Sequence, residues 1–461
     1  MKVISTERIS VSLLSGLLIF LLAGCAGGGG ATDDSGGGGT GLPGAPAVSI
    51  AAGNGENILT MAPGTGTSAS TFTLYWSTSP TVTVTTGTKI PSVQPTFHHT
   101  GLTNGTPVFY VVTSDLSTGA SFPSDVVGSM PGTWFKVETC STPPCSPSSL
   151  PPARDSHTAV YDSTSDRMIV FGGKVAGAPE NDLWILQNAS GTIPTWSQSF
   201  APTLPPKRLG HTAVYNDQGN QMVIFGGALD SNGNQLTNDL WGLTNADVPS
   251  GSHWTSRSAG SAPTHRWGHS AVYDLAADTM VVFGGIEQTG QTLLSEVWVL
   301  HQTSTSPIWQ QVTPSGGPPS ARCCMAAGYD AANRRMIIFG GFGGAALFGD
   351  LWTLTFDPTF STATWQQLTP SVGTAPAARC CGVGLWDGSQ FLVFGGGQFG
   401  NPASDDRVHA LVLGATTFSS ADGPGGGPAA RTFPTAVPVG RLLLFGGSSA
   451  SAALNDLWQL K

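Results

Sequence analysis

The triplet Phe-Gly-Gly closes an apolar run six times in this 461-residue chain, at Phe171, Phe225, Phe283, Phe339, Phe394 and Phe445, with spacings of 54, 58, 56, 55 and 51 residues. A near-constant period of this length marks a chain built from one supersecondary unit repeated, each copy covering the apolar faces of its neighbours. Every copy follows one frame. An Arg comes first, then a short strand such as "HTAVY" at 157–161, then the apolar run, then a segment such as "NDLW" at 181–184, and a Trp about a dozen residues on. The runs "MIVF", "MVIF", "MVVF", "MIIF", "FLVF" and "LLLF" are apolar at every position. A strand with one wet face would alternate, so this one is covered on both faces.

Four-stranded sheets packed face to face around an axis meet that requirement, and that arrangement is a β-propeller. With the strands named A to D, the sixth copy ends at "NDLWQLK", after strand C, and "TWFKV" at 133–137 reads as a strand D without a blade. Pairing the two closes a ring of six blades with Trp134 at the seam and removes two open sheet edges. The glycine doublet and the aromatic positions, recurring in register over 132–461, resemble the kelch repeat in its longer bacterial form. The expected fold is therefore all-β: a six-bladed kelch-type propeller closed by an N-terminal strand and preceded by a small β-sandwich. The glycine pair is expected to leave room for the strand C Trp (Trp184, Trp241, Trp298, Trp352, Trp458). His409 replaces that Trp in the fifth copy, which is expected to be the loosest blade.

The region ahead of the repeats divides by composition. Lys2 and Arg8 precede an apolar run from Val11 to Ala23, too short to span a bilayer and typical of a signal segment. It ends in Leu22, Ala23, Gly24 and Cys25, which resembles a bacterial lipobox. The resemblance implies a signal peptide at 1–24, removed by cleavage, and lipid on Cys25. Ala26 follows where Asp would imply inner-membrane retention, so an outer-membrane lipoprotein facing the periplasm or the cell surface is expected. Residues 25–44 carry the lipidated Cys and a Gly-rich tether. Between 45 and 131, alternating runs separated by turn residues read as a β-sandwich. Within it, "LYWSTS" at 74–79 and "HTGLTNGTPVFYVVTS" at 99–114 resemble strands of a fibronectin type III domain, with Val108 and Met61 standing where Tyr and Trp are usual.

A formal charge of −9, with charged residues only 10% of the chain, argues against a nucleic-acid partner. Cys140 and Cys145 flank Ser-Thr-Pro-Pro and are expected to form a local disulfide in an oxidising compartment. Cys323-Cys324 and Cys380-Cys381 fall at matched positions in adjacent repeats, where other copies carry Leu209-Gly210 and Trp267-Gly268. Disulfides are expected among these four, between blades or between vicinal residues, in preference to zinc. No metal or cofactor is expected.

Arg154, Arg208, Arg266, Arg322, Arg379 and Arg431 open the six copies. They could form a guanidinium ring for an anion, or pair with the acidic residue before Leu-Trp or Val-Trp (Asp182, Asp239, Glu296, Asp350, Asp456), which only Arg379 lacks in its own copy because Arg407 stands there. Presence in every repeat favours pairing, since function marks one or two blades while packing marks all. His157, His211 and His269 share one position in consecutive copies and read as strand A residues, not metal ligands.

Differences among otherwise similar repeats gather in the B–C loops, which share an end with the D–A links. The loops at 228–237 and 286–295 place Asn232, Asn234, Gln235, Glu287, Gln288 and Gln291 as binding candidates, with Arg208 and Arg266 beneath them. The expected protein is a non-enzymatic, monomeric, lipid-anchored binding protein of the cell envelope whose propeller meets a glycan or a protein. The alternative is a carbohydrate-active enzyme resembling kelch-type sugar mutarotases, for which Glu287 is the acid/base candidate.

Overall fold

The computed structural model describes residues 44–461 except 65–66, 130, 133, 140–149, 247–250, 288–291, 371–374, 399–400, 403–406, 414–416 and 422–426; at 51, 401 and 417–421 it describes the backbone alone. The signal segment, Cys25, Cys140, Cys145, Gln288 and Gln291 lie outside the described residues.

Each repeat folds into an antiparallel sheet in the order A-B-C-D. In blade one these are Thr158–Asp162, Arg167–Val175, Ala178–Gln187 and Thr195–Ser199. In blade six, strands Thr435–Val437, Leu442–Phe445 and Leu457–Leu460 are completed by Trp134–Lys136, with Leu460 opposite Trp134 and Trp458 opposite Lys136. Strand A of every blade touches strand A of the next, and the sixth touches the first.

Successive strand B side chains enter different cores, which is why the run must be apolar throughout. Met168 and Val170 pack with Val437, Leu443 and Phe445 of blade six, while Ile169 and Phe171 pack with Met222 and Ile224 of blade two. One contact recurs between blades: the strand D Trp lies against the Phe-Gly-Gly Phe of the preceding blade. Ring centroids are 5.0 Å apart for Trp196 and Phe445, 4.8 Å for Trp254 and Phe171, 4.8 Å for Trp309 and Phe225, 4.9 Å for Trp365 and Phe283, and 5.3 Å for Trp134 and Phe394. Trp134 thus makes at the seam the contact its counterparts make elsewhere.

The glycine doublet does not seat the strand C Trp. Trp184 lies opposite Val170, and its indole N–H donates to Asp182 at 2.7 Å. What crowds Gly172 is its own strand C together with the next blade: a side chain there would come within 3.0 Å of the Glu180 carbonyl, 3.0 Å of the Arg208 carbonyl and 3.2 Å of the His211 ring. Both glycines hold positive φ, 62° and 90°, at a β-bulge, and the Gly173 N–H donates to the Arg208 carbonyl at 2.9 Å. Only residues without a Cβ combine that backbone with that approach.

Ahead of the propeller, Ala47–Gly53, Glu56–Ala62 and Thr96–Thr100 form one sheet. Phe72–Ser77, Thr88–Val93, Val108–Leu116 and Val127–Ser129 form the facing layer. Leu59, Met61, Phe72, Leu74, Val108, Tyr110 and Val112 fill the space between them. This sandwich is joined to blade five. Ser129 pairs in parallel with Ser420 of strand D, Gln390 donates to the Gly105 carbonyl at 3.2 Å, and Ala52 enters the core shared by blades five and six.

Candidate functional site

The end of the propeller that carries the D–A links and B–C loops is organised around a backbone ring. The residue just ahead of strand A, or at its second position in blade five, has left-handed φ in all six blades: Ser156 (56°), Gly210 (61°), Gly268 (63°), Cys324 (58°), Cys381 (64°) and Phe433 (52°). Each N–H donates to the carbonyl of its counterpart in the preceding blade. The distances are 2.9 Å for Gly210 to Ser156, 2.9 Å for Gly268 to Gly210, 2.7 Å for Cys324 to Gly268, 2.7 Å for Cys381 to Cys324, 2.6 Å for Phe433 to Cys381, and 3.4 Å for Ser156 to Phe433. Four of the six are not glycine, so the ring holds strained conformations that a single blade could not maintain.

Outside the ring, the repeated Arg residues act as internal braces. Arg208 is fully buried; it donates to both carboxylate oxygens of Asp239 at 2.6 and 2.8 Å and to the carbonyls of Pro206 and Gly226. Arg154 with Asp182, Arg266 with Glu296, Arg322 with Asp350 and Arg431 with Asp456 repeat the pairing within their own blades. Burial acts to raise the Asp239 pKa, but the Arg208 hydrogen bond and charge and the Trp241 indole N–H outweigh it and hold the carboxyl below its ordinary value. These guanidinium groups face their own blades' carboxylates and carbonyls. Arg208 and Arg266, expected beneath the loops as ligand contacts, lie in the blade interior with their donors engaged.

The three histidines link strand A to the preceding blade. His211 Nε2 meets the Thr158 hydroxyl at 2.9 Å, His269 the Thr212 hydroxyl at 2.8 Å, and His157 the Thr435 hydroxyl at 2.8 Å. Burial, reinforced by the charge of Arg154, Arg208 or Arg266, lowers all three pKa values, that of His269 to about 3. They are neutral structural groups at physiological pH. Among the described residues, no three His, Cys, Asp or Glu side chains are arranged to hold a metal ion.

The loop candidates are placed as separate surface groups. Asn232, Asn234 and Gln235 are exposed, and the backbone N–H groups of Asn232 and Asn234 cap the Asp230 carboxylate at 3.0 and 2.9 Å. Glu287 is half-buried and lies opposite Arg266 in a short two-stranded pair. Sequence reasoning missed the apolar mouth between these loops and the axis. Trp267 spans the gap: a side chain at Gly210 would come within 2.9 Å of its ring, and one at Gly233 within 3.3 Å. Phe433, Phe342 and Leu347 continue the surface over a buried cluster that holds Cys323, Cys324, Cys380 and Cys381, all four present as free thiols. A cavity of about 130 Å³ opens on the axis, lined by ring residues and the three histidines. A second, of about 450 Å³, lies between the loops of blades four and five against Phe342, Leu347 and Gln398. The signal available in the sequence was the register: Trp267 occupies the position of Leu209, Cys323 and Cys380, which is apolar in each.

The fold and the repeated braces match comparisons with known proteins. The family described as the KLHDC2/KLHL20/DRC7 Kelch-repeats domain matches residues 132–250 and 219–397, together more than half of the chain. Adagio-like protein 3 of Oryza sativa subsp. japonica is 30% identical over 251 residues, covering 51% of this chain and 36% of that protein. Acyl-CoA-binding domain-containing protein 4 of Arabidopsis thaliana is 28% identical over 287 residues, covering 60% of this chain and 39% of its own. The chain therefore spans well under half the length of these relatives. The glycine doublets, the Arg–carboxylate braces and the family match agree that this chain belongs to the kelch-repeat family.

Proposed function

We propose that this kelch-repeat protein is a non-enzymatic interaction module, exported and anchored through lipid on Cys25 at the cell envelope, whose D–A/B–C end meets a protein or glycan ligand. In this reading residues 25–44 are the tether, 45–131 a fibronectin type III-like sandwich, and 132–461 the propeller. The supporting observation is how side chains are distributed over that end. The charged groups repeated in five of the six blades are engaged with one another, whereas the residues that differ between blades, Asn232, Asn234 and Gln235 at the loop tip and Trp267, Phe342 and Leu347 at the mouth, reach the surface there. A rigid scaffold bearing dissimilar loops beside an apolar, aromatic mouth is the usual construction of a binding face.

The test replaces residues 228–237 or 286–295 with the sixth-blade loop "SSASAAL" in the 45–461 fragment, which is then probed on a glycan array and against envelope extracts. Ligand binding should be lost in at least one graft with the melting temperature nearly unchanged. Binding that survives both grafts and disappears on changing the C–D loops assigns the opposite end. The anchor is tested separately: Cys25→Ser should release the full-length protein from membranes, and unchanged retention refutes it.

A further inference from the structure

The fold does not treat the four thiols of blades four and five alike. Cys323 belongs to its own blade, exchanging both backbone hydrogen bonds with Phe342 at 3.1 and 2.9 Å, and Cys380 lies opposite Gly397 of its own strand B. Cys324 and Cys381 are instead successive members of the axial ring, and the Cys381 N–H donates to the Cys324 carbonyl at 2.7 Å. That bond limits their separation. Adding about 2.4 Å from a Cα to its own carbonyl oxygen and about 1.5 Å from N to Cα puts the two Cα atoms at most about 6.6 Å apart, within the span of roughly 4.4–6.8 Å that disulfides use. Vicinal residues fall outside it, since their Cα atoms are only about 3.8 Å apart across a trans peptide. Both side chains belong to one buried cluster, and both residues line the axial cavity.

We propose that Cys324 and Cys381 form a disulfide that staples blade four to blade five at the axis. Two S–H bonds are lost and one S–S bond forms; the two protons and two electrons pass to a disulfide oxidant, glutathione disulfide or a protein disulfide, which is reduced to two thiols. Burial raises the Cys381 thiol well above its ordinary value, so it is a poor nucleophile once packed and the exchange takes place while the blades assemble. The position matters because the step from blade four to blade five is where Phe418 replaces the strand D Trp that joins other blades. The proposal rests on the exported reading only for where the oxidant is met.

The experiment refolds the full chain in a glutathione/glutathione disulfide buffer, blocks free thiols, digests with trypsin without reduction, and weighs the peptides. Cleavage after Arg322 and Arg334, and after Arg379 and Arg407, separates 323–334 from 380–407. The proposal expects one cross-linked species, retained in Cys323→Ser and Cys380→Ser and lost in Cys324→Ser and in Cys381→Ser. Recovery of the two peptides apart, as blocked thiols or as vicinal disulfides, overturns it. So does a cross-link that depends on Cys323 or Cys380. None of these outcomes depends on Cys25, so failure of the anchor and failure of the staple are told apart.

Discussion

Truncating Trp134 measures how much the strand ahead of the first repeat holds the ring together. Its side chain is 6% exposed and packs on Phe394, Leu442, Leu444 and Leu460, with Gly427 so close that a Cβ there would lie 3.0 Å from the indole. Replacing a buried Trp by Ala removes about 3–5 kcal/mol. Over the roughly 330 residues of 132–461, an unfolding entropy of about 2.1 cal/mol/K per residue gives ~0.7 kcal/mol/K, so Trp134→Ala should lower the melting temperature by ~4–7 °C. Two companions fix the interpretation. Trp134→Phe keeps a ring against Phe394 and loses only an indole N–H that has no protein partner, so it should cost less than half as much. Trp254→Ala removes the equivalent contact with Phe171, inside the continuous repeats, and should match Trp134→Ala within ~2 °C if the seam is packed like any other junction. Calorimetry of the four proteins decides. A Trp134→Ala protein melting within ~1 °C of wild type, beside a Trp254→Ala protein several degrees lower, would refute the view that 134–136 completes blade six.

The buried histidines make the propeller acid-sensitive well above the carboxylate range. The unfolded chain binds a proton at His269 near pH 6.5 and the folded chain only near pH 3, so stability rises with pH across that window and is lost as the pH falls, ~2 kcal/mol by pH 5 for this residue alone. His269→Gln should flatten the pH 7 to 5 melting profile, and identical slopes would remove His269 as the cause. Gly226→Ala forces a Cβ to within 2.8 Å of the Arg266 carbonyl at a φ of 66° and should destabilise by ~3 kcal/mol or more, whereas Gly177→Ala, at a φ of 85° but in open space, should lose only the ~1–2 kcal/mol of backbone strain. Equal denaturation midpoints for the two variants would show that the doublet is not shaped by the neighbouring blade.

What could be read from the sequence was what each repeat settles within itself. The apolar strand B, the pairing of Arg208 with Asp239 and of Arg266 with Glu296, and the missing strand of blade six all show in one copy compared with the others. What could not be read is set between repeats. The doublet Gly172-Gly173 looks like room for an aromatic ring until the Arg208 carbonyl arrives from the next blade. Nothing local marks Ser156, Cys324, Cys381 or Phe433 as left-handed, because the ring of hydrogen bonds imposes that conformation from both sides.

Blade five carries this reasoning furthest. In the sequence it is the irregular copy, with Arg407 in place of the acid, His409 in place of the strand C Trp and Phe418 in place of the strand D Trp. In the fold it is the blade to which the sandwich attaches: Ser129 joins Ser420 across nearly 300 residues of chain, and Gln390 holds Gly105. One of the two axial cysteines, Cys381, lies in the same blade, hydrogen-bonded to Cys324 of blade four. A repeat flanked only by other repeats is held to the consensus by its neighbours on both faces. Blade five also has a non-repeat neighbour, met by its strand D at Ser420 and by Gln390 just ahead of its strand B, so part of its surface answers to the sandwich and not to another repeat.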